Sequence, residues 1–354
     1  MRIDDFLEVL EFYHGADLHL AEGQRPCIRQ QERVMPIREK VLSHQEIISL
    51  MTSLAYPEEW QTLNMCGDLD FTTQVLGGMR FRCNFYKHFN GYGAVLRKIP
   101  GEIMTIAELG LPMVVRSFAN FKSGLVLISG PTGSGKTTTL AALVDHINQH
   151  FHKHIITFET NTEFYHKHKQ SILTLREVGR DTPTFATGLK TALREDPDVL
   201  VVGDIRDIDT LQLMLKAADM GVLVFGTLQT GGVAKTLDRL IQMFPPDQQA
   251  QGRNQLSHVL RGVHCQFLLK RRDKNGLIPA SEILVANPSV TEIIQEGEFS
   301  KLNDIMKMGS QHGMKLMDDS IFALWDSGAV EAEEAYLYSV HKERFVSYLK
   351  KESE

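Results

Sequence analysis

The run Gly130-Pro131-Thr132-Gly133-Ser134-Gly135-Lys136-Thr137 constrains this chain more than any other stretch of it. It fits GxxxxGK[ST], in which glycines let the backbone bend tightly and turn successive N–H groups toward phosphate oxygens. Lys136 can reach the β- and γ-phosphates, and the Thr137 hydroxyl can ligate Mg²⁺. At average residue usage the four fixed positions coincide about once in 30,000 windows. The flanks agree: residues 125–129 read as a buried strand leading in, and Leu140, Leu143, Val144 and Ile147 hold helical spacing leading out. The expectation is a nucleoside triphosphate cradled by residues 130–137 and Thr138 at a helix N-terminus.

Three more apolar runs, 155–158, 199–202 and 223–227, are too short for core helices and rich in β-branched residues. They read as buried parallel strands. Leu211, Met214, Leu215 and Ala218 hold helical spacing up to Gly221, a C′ glycine. Alternating strands and helices predict an α/β fold with a mostly parallel sheet over residues 124–354, helical after about Gln248 except for a strand pair around Leu268 and Ile283. Residues 1–99 read as a small α+β module. Ile3, Phe6, Leu7 and Leu10 mark a helix, and Asp17-Leu18-His19-Leu20 alternates like an edge or half-buried strand. Ser43-His44-Gln45-Glu46 looks like a capping box. Residues 68–75, 79–86 and 92–99 read as antiparallel strands with Gly77-Gly78 as a turn signal. Residues 100–123 read as a linker and a short helix.

Composition narrows the class. A chain of 354 residues suggests two or three domains, and 43% hydrophobic with 23% charged residues is ordinary for a soluble globular protein. A net charge of −6 disfavours a surface built wholly to grip nucleic acid. No stretch approaches the ~18 consecutive apolar residues of a membrane span. The start carries acids where a signal peptide needs basic residues. Cys27, Cys66, Cys83 and Cys265 form no CxxC pair, so a reducing cytoplasm is expected. The histidine-dense stretch His150, His152, His154, His166 and His168 and the basic run 270–276 read as solvated surface rather than metal or nucleic-acid sites.

Hydrolysis needs a carboxylate near Mg²⁺ and another to orient or deprotonate water. Val199-Leu200-Val201-Val202-Gly203-Asp204 is an apolar strand ending in an acid, 68 residues past Lys136. Phe158-Glu159-Thr160-Asn161-Thr162-Glu163 places two more acids after another strand, at the carboxyl ends where ligands gather.

GADLHL at 15–20, MRFRCNFY at 79–86, GPTGSGKTTTLAAL at 130–143, REVGRDT at 176–182, ALREDPDVLVVGDIRD at 192–207, LVFGTLQT at 223–230 and HGMKLMDDSI at 312–321 follow in order. Together they resemble the type IV pilus retraction ATPases, the PilT/PilU group of the secretion ATPase superfamily, over nearly the whole chain. The resemblance implies a PAS-like N-terminal domain over 1–99, a RecA-like ATPase domain over 124–354, and a ring of six subunits. It also implies a cytoplasmic protein at the inner face of a bacterial membrane, where ATP hydrolysis pulls pilins from a fibre through an inner-membrane platform protein.

Carried over residue by residue, the phosphate loop is intact. The family's acidic box T-I-E-D-P-I-E stands as residues 157–163, keeping Glu159 and Glu163, with Glu163 the first choice for activating water. The family's Gly-Glu becomes Gly203-Asp204, and the two histidines of its histidine box become Val222 and Gln229. Arg80, Arg82 and Arg97 fall where the family supplies cations to nucleotide or to a neighbouring subunit, and Arg194 and Arg206 also match family arginines. Asp204 keeps the charge Mg²⁺ needs but is one methylene shorter, a displacement of roughly 1 Å that can cost about 100-fold in rate. Gln229 can hydrogen-bond a phosphate or water but carries no proton or charge. The resemblance therefore implies ATP and Mg²⁺ binding with slow or partner-dependent hydrolysis. Two other readings stay open. One is a nucleotide-binding accessory ring acting on an active paralogue, and the other a secretion or DNA-handling ATPase of the same superfamily.

Overall fold

A computed structural model describes residues 2–13, 15–30, 33–75, 78–99 and 101–349. They fall into two units, Met1–Glu102 with Asn161–Tyr165, and Ile103–Thr160 with His166–Glu354. The sequence boundaries were contiguous; residues 161–165 group with the first unit.

The first unit opens with helix α1 (Ile3–Phe12), followed by β1 (Asp17–Ala21), β2 (Cys27–Gln30) and β3 (Arg33–Pro36). Helices α2 (His44–Thr52) and α3 (Pro57–Cys66) then lead to β4 (Asp68–Gln74), β5 (Arg80–His88) and β6 (Gly91–Ile99). The strands form one antiparallel sheet in the order β3-β2-β1-β6-β5-β4. β1 is thus an interior strand, not an edge: Leu18 stands opposite Ile28 on one side and Leu96 on the other. Its first residue, the buried Asp17, accepts two hydrogen bonds from Arg97, at 2.7 and 3.2 Å. The capping box forms at α2, where Ser43 N donates to the Glu46 carboxylate at 2.9 Å. Gly78 takes a φ of +81°, as the turn requires; Gly77 lies outside the described residues. Phe6, Leu10, Leu18, Phe81, Phe85 and Leu96 form the core.

The second unit begins with α4 (Met113–Ser117), β7 (Gly124–Ser129), α5 (Lys136–His150), β8 (His154–Glu159) and β9 (Ile172–Glu177). It continues through α6 (Phe185–Ala192), β10 (Val199–Val202), α7 (Ile208–Asp219), β11 (Leu223–Leu228), α8 (Val233–Gln242) and α9 (Gln249–Val259). The hairpin of β12 (Leu260–Lys270) and β13 (Leu277–Val285) and a set of short helices follow. The sheet runs β13-β12-β7-β11-β10-β8-β9, parallel throughout except for the antiparallel β12–β13 pair. All four expected strands are there, and β9 extends the sheet. Successive residues of each central strand point to opposite faces. Phe158, Leu200, Val202 and Val224 therefore enter one core layer with Met214 and Leu237. Val126, Ile128, Val201 and Phe225 enter the other with Leu143 and Ile147. Helices thus cover both faces of the sheet, and its open carboxyl edge carries the loops. Among the described residues no helix is long and apolar enough to cross a membrane.

Candidate nucleotide site

The chain leaves β7 at Ser129 and bends through Gly130, Gly133 and Gly135, with φ values of +146°, +80° and +84°. At Gly130 there is also no room: an added Cβ would lie 2.3 Å from the Gln266 carbonyl oxygen and 2.4 Å from Ser134 Oγ. Helix α5 starts directly after Gly135, so Lys136, Thr137 and Thr138 occupy its first turn. Lys136 Nζ donates to the carbonyls of Gly130 and Pro131, both at 2.8 Å. Burial lowers its pKa, and the nearby charge of Asp204 opposes that shift. An ammonium group so placed lies across the concave side of its own loop, where phosphate oxygens would compete for it.

The carboxylates stand on the neighbouring strands. Gly203 N donates to the Phe158 carbonyl at 2.8 Å, which sets Glu159 beside Gly203 at the ends of β8 and β10. Asp204 follows, its side chain only 15% exposed, and its Oδ2 accepts from Arg206 Nε at 2.6 Å. β11 lies between β10 and β7, and just past its end Gln229 Oε1 accepts from the loop hydroxyl of Thr132 at 3.4 Å. One edge of the sheet thus gathers the loop, Glu159, Asp204, Arg206 and Gln229.

Two sequence candidates lie elsewhere. Val222 enters β11 at the end opposite to Gln229, about 20 Å away at ~3.3 Å per strand residue, and is buried. Arg194 is exposed on the turn before β10, at the amino edge of the sheet.

The remaining candidates belong to the first unit. Arg82 lies 3.5 Å from Asp70 and 3.9 Å from Glu163. Arg80 stacks over the Tyr165 ring, 5.3 Å from its centroid. Arg97 is engaged by Asp17, and that hydrogen-bonded carboxylate raises its pKa. Glu163 therefore keeps company with arginines of the first unit, whereas Glu159 belongs to the second.

The sequence reading did not single out Gln266. It is buried on β12, next to Cys265, which pairs with Ser129. Its amide oxygen accepts from Thr139 Oγ1 at 2.7 Å, and its amide nitrogen donates to the Ser134 carbonyl. The available signal was one amide within the otherwise apolar stretch 265–269. The basic run at 270–276, by contrast, is matched by acids: Arg271 pairs with Asp273 and Arg272 with Glu331.

A glycine-bent loop between a parallel strand and a helix, with carboxylates at adjacent strand ends, defines a P-loop nucleotide-hydrolase core. Residues 66–312 match the family described as type II/IV secretion system protein. The chain belongs to that family and, within it, to the PilT/PilU-like type IV pilus retraction ATPases. The type IV pilus retraction ATPase PilT of Pseudomonas aeruginosa is 38% identical over 334 residues, spanning 94% of this chain and 97% of the relative. The type IV pilus ATPase PilU of the same organism is 31% identical over 339 residues, spanning 96% and 89%. A crystal structure of the pilus retraction motor PilT with bound ADP aligns with a TM-score of 0.91 at 36% identity, covering 97% of this chain and 98% of that one. The ATPase DotB of Legionella pneumophila aligns at 0.81 with 25% identity, covering 95% and 94%.

Proposed function

We propose that this chain is a motor of type IV pilus retraction that hydrolyses ATP slowly, in a ring of six copies at the cytoplasmic face of the inner membrane. The observation carrying this reading is the gathering of the phosphate loop, Glu159, Asp204 and Gln229 on one sheet edge. In it the N–H groups of the loop and Lys136 hold the triphosphate. A hydroxyl and a carboxylate are the oxygen donors a hard cation takes, so Thr137 and Asp204 would hold Mg²⁺. Bound there, Mg²⁺ supplies charge neutralisation on the phosphate oxygens. Glu159 and Gln229 hydrogen-bond water or phosphate, and Arg206 is the cation on this edge. Glu163 is the proposed residue for orienting or deprotonating water, and Arg80, Arg82 and Arg97 are cations of the first unit for nucleotide or a neighbouring subunit. Arg194, at the opposite edge of the sheet, has no part in the site. The first unit takes the part of the PAS-like domain, and the partners are an inner-membrane platform protein and a paralogous retraction ATPase.

Phosphate release from the assembled protein tests this reading, with Lys136→Ala as the blank. Turnover above that blank supports the motor. Absence of saturable Mg-nucleotide uptake by folded protein overturns it.

One observation favours a second reading, a nucleotide-binding accessory ring on an active paralogue: Asp204, already short, is held by Arg206. Turnover indistinguishable from the Lys136→Ala blank, with nucleotide still bound, would select it. A salt-sensitive stimulation by DNA would instead select a DNA-handling ATPase.

A further inference from the structure

We propose that Gln266 is a positioning residue for the phosphate loop: its buried amide clamps the Ser134 carbonyl to the Thr139 hydroxyl and so fixes the loop against α5. This rests on the reading of residues 130–138 as the triphosphate site.

Gln266 is 1% exposed, and Ser134 and Thr139 are each 2% exposed. Water cannot stand in for any of the three. A neutral amide offers a donor and an acceptor at one end of one side chain, which neither a carboxylate nor an aliphatic group can do. Here the acceptor takes the Thr139 hydroxyl and the donor serves the Ser134 carbonyl. Both partners lie more than 120 positions away in sequence, on either side of Lys136. The contact is close as well as polar, for a Cβ on Gly135 would stand 3.0 Å from Gln266 Nε2.

The clamp has an electrostatic consequence. The Ser134 carbonyl and the Gly135 N–H belong to one peptide group. A hydrogen bond donated to that carbonyl polarises the peptide, and Gly135 N–H becomes a stronger donor toward an anion. Gln266 touches no phosphate itself; it acts through the peptide it holds. Without it the Ser134 carbonyl would be buried and unpaired, and the loop would shift to find a partner. A shift of about 1 Å at such a site can cost about 100-fold.

Calorimetric titration of Mg-ATP into the full chain tests the proposal on wild type, Gln266→Leu, Gln266→Glu and Thr139→Val. Gln266→Leu is expected to weaken binding about ten-fold to 100-fold, the worth of a hydrogen bond to a charged phosphate. It is also expected to lower the urea midpoint, because two buried groups lose their partner, while still unfolding cooperatively. Gln266→Glu is expected to approach wild type as pH is lowered, because a protonated carboxyl again both donates and accepts. Thr139→Val should weaken binding by a smaller factor, since it removes one of the two bonds. Gln266→Leu with wild-type affinity overturns the role. So does Gln266→Glu as weak as Gln266→Leu at every pH. If Gln266→Leu does not fold, wild-type affinity in Thr139→Val with no pH response in Gln266→Glu overturns it equally. Failure of wild type to bind would instead sink the triphosphate reading on which it rests.

Discussion

Arg206 Nε donates to Asp204 Oδ2 at 2.6 Å, so the carboxylate ending β10 is held by a cation of its own chain. The guanidinium is 61% exposed, which limits such a pair to about 0.2–1 kcal/mol. Any Mg²⁺ on Asp204 must compete with it. Arg206→Ala is therefore expected to lower the Mg²⁺ concentration for half-maximal nucleotide binding by about 1.4- to five-fold. A titration showing an unchanged or higher requirement would mean that Arg206 does not restrain Asp204.

The shortened carboxylate and the missing imidazole are the two departures that face the same sheet edge. Gln229 already reaches Thr132, so an imidazole at that position would sit beside the loop. Asp204→Glu with Gln229→His should raise turnover, by up to about 100-fold if misplacement of the carboxylate is what limits it. Phosphate-release rates of the double variant and wild type, measured on assembled protein, decide this. Equal rates would place the limitation elsewhere.

The phosphate loop and its four parallel strands were legible because each strand is buried on both faces and reads as an unbroken apolar run. β9 was not: at the sheet edge it mixes Thr174, Arg176 and Glu177 with its apolar residues and carries no such run. β1 alternates like a half-exposed strand because Asp17 and His19 interrupt it, yet Arg97 satisfies that aspartate inside the sheet. Val222 and Gln229 look like partners in one sequence box, but the strand between them sets them at opposite ends of β11. Gln266 escaped because a clamp between residues more than 120 positions apart leaves no local pattern. What sequence reveals is periodicity and local motif; long-range polar contacts are decided by the register of β12 on β7.

Packing behind the site can be tested through Gly188 on α6. An added Cβ there would lie 2.5 Å from the Phe158 ring, which is fully buried one residue before Glu159. A core with no spare volume must move, at about 1–3 kcal/mol for an inserted methyl group. Gly188→Ala should lower the urea midpoint accordingly. Because the displaced ring precedes Glu159, turnover should fall more than the loss of folded protein explains. A variant with wild-type midpoint and turnover would show that the ring has room to yield.

Two buried imidazoles make stability depend on pH. His166 is pushed down from 6.5 to about 4, chiefly by burial and further by Lys169, with Asp145 opposing. His264, bonded to Ser281, is pushed down to about 3 by burial. Both have a ring Nδ1 without a hydrogen-bond partner among the described residues. A depressed pKa means that the unfolded chain binds protons the folded chain refuses, so stability falls as pH drops from 6.5 toward 4. For His166 the shift amounts to about 2 kcal/mol lost between about pH 7 and pH 5. Carboxylates contribute to the same slope in every variant, so the informative quantity is a difference. His166→Gln should lose about 2 kcal/mol less than wild type over that interval, read from urea unfolding at both pH values. Parallel pH profiles for the two proteins would show that the His166 imidazole does not resist protonation in the folded chain.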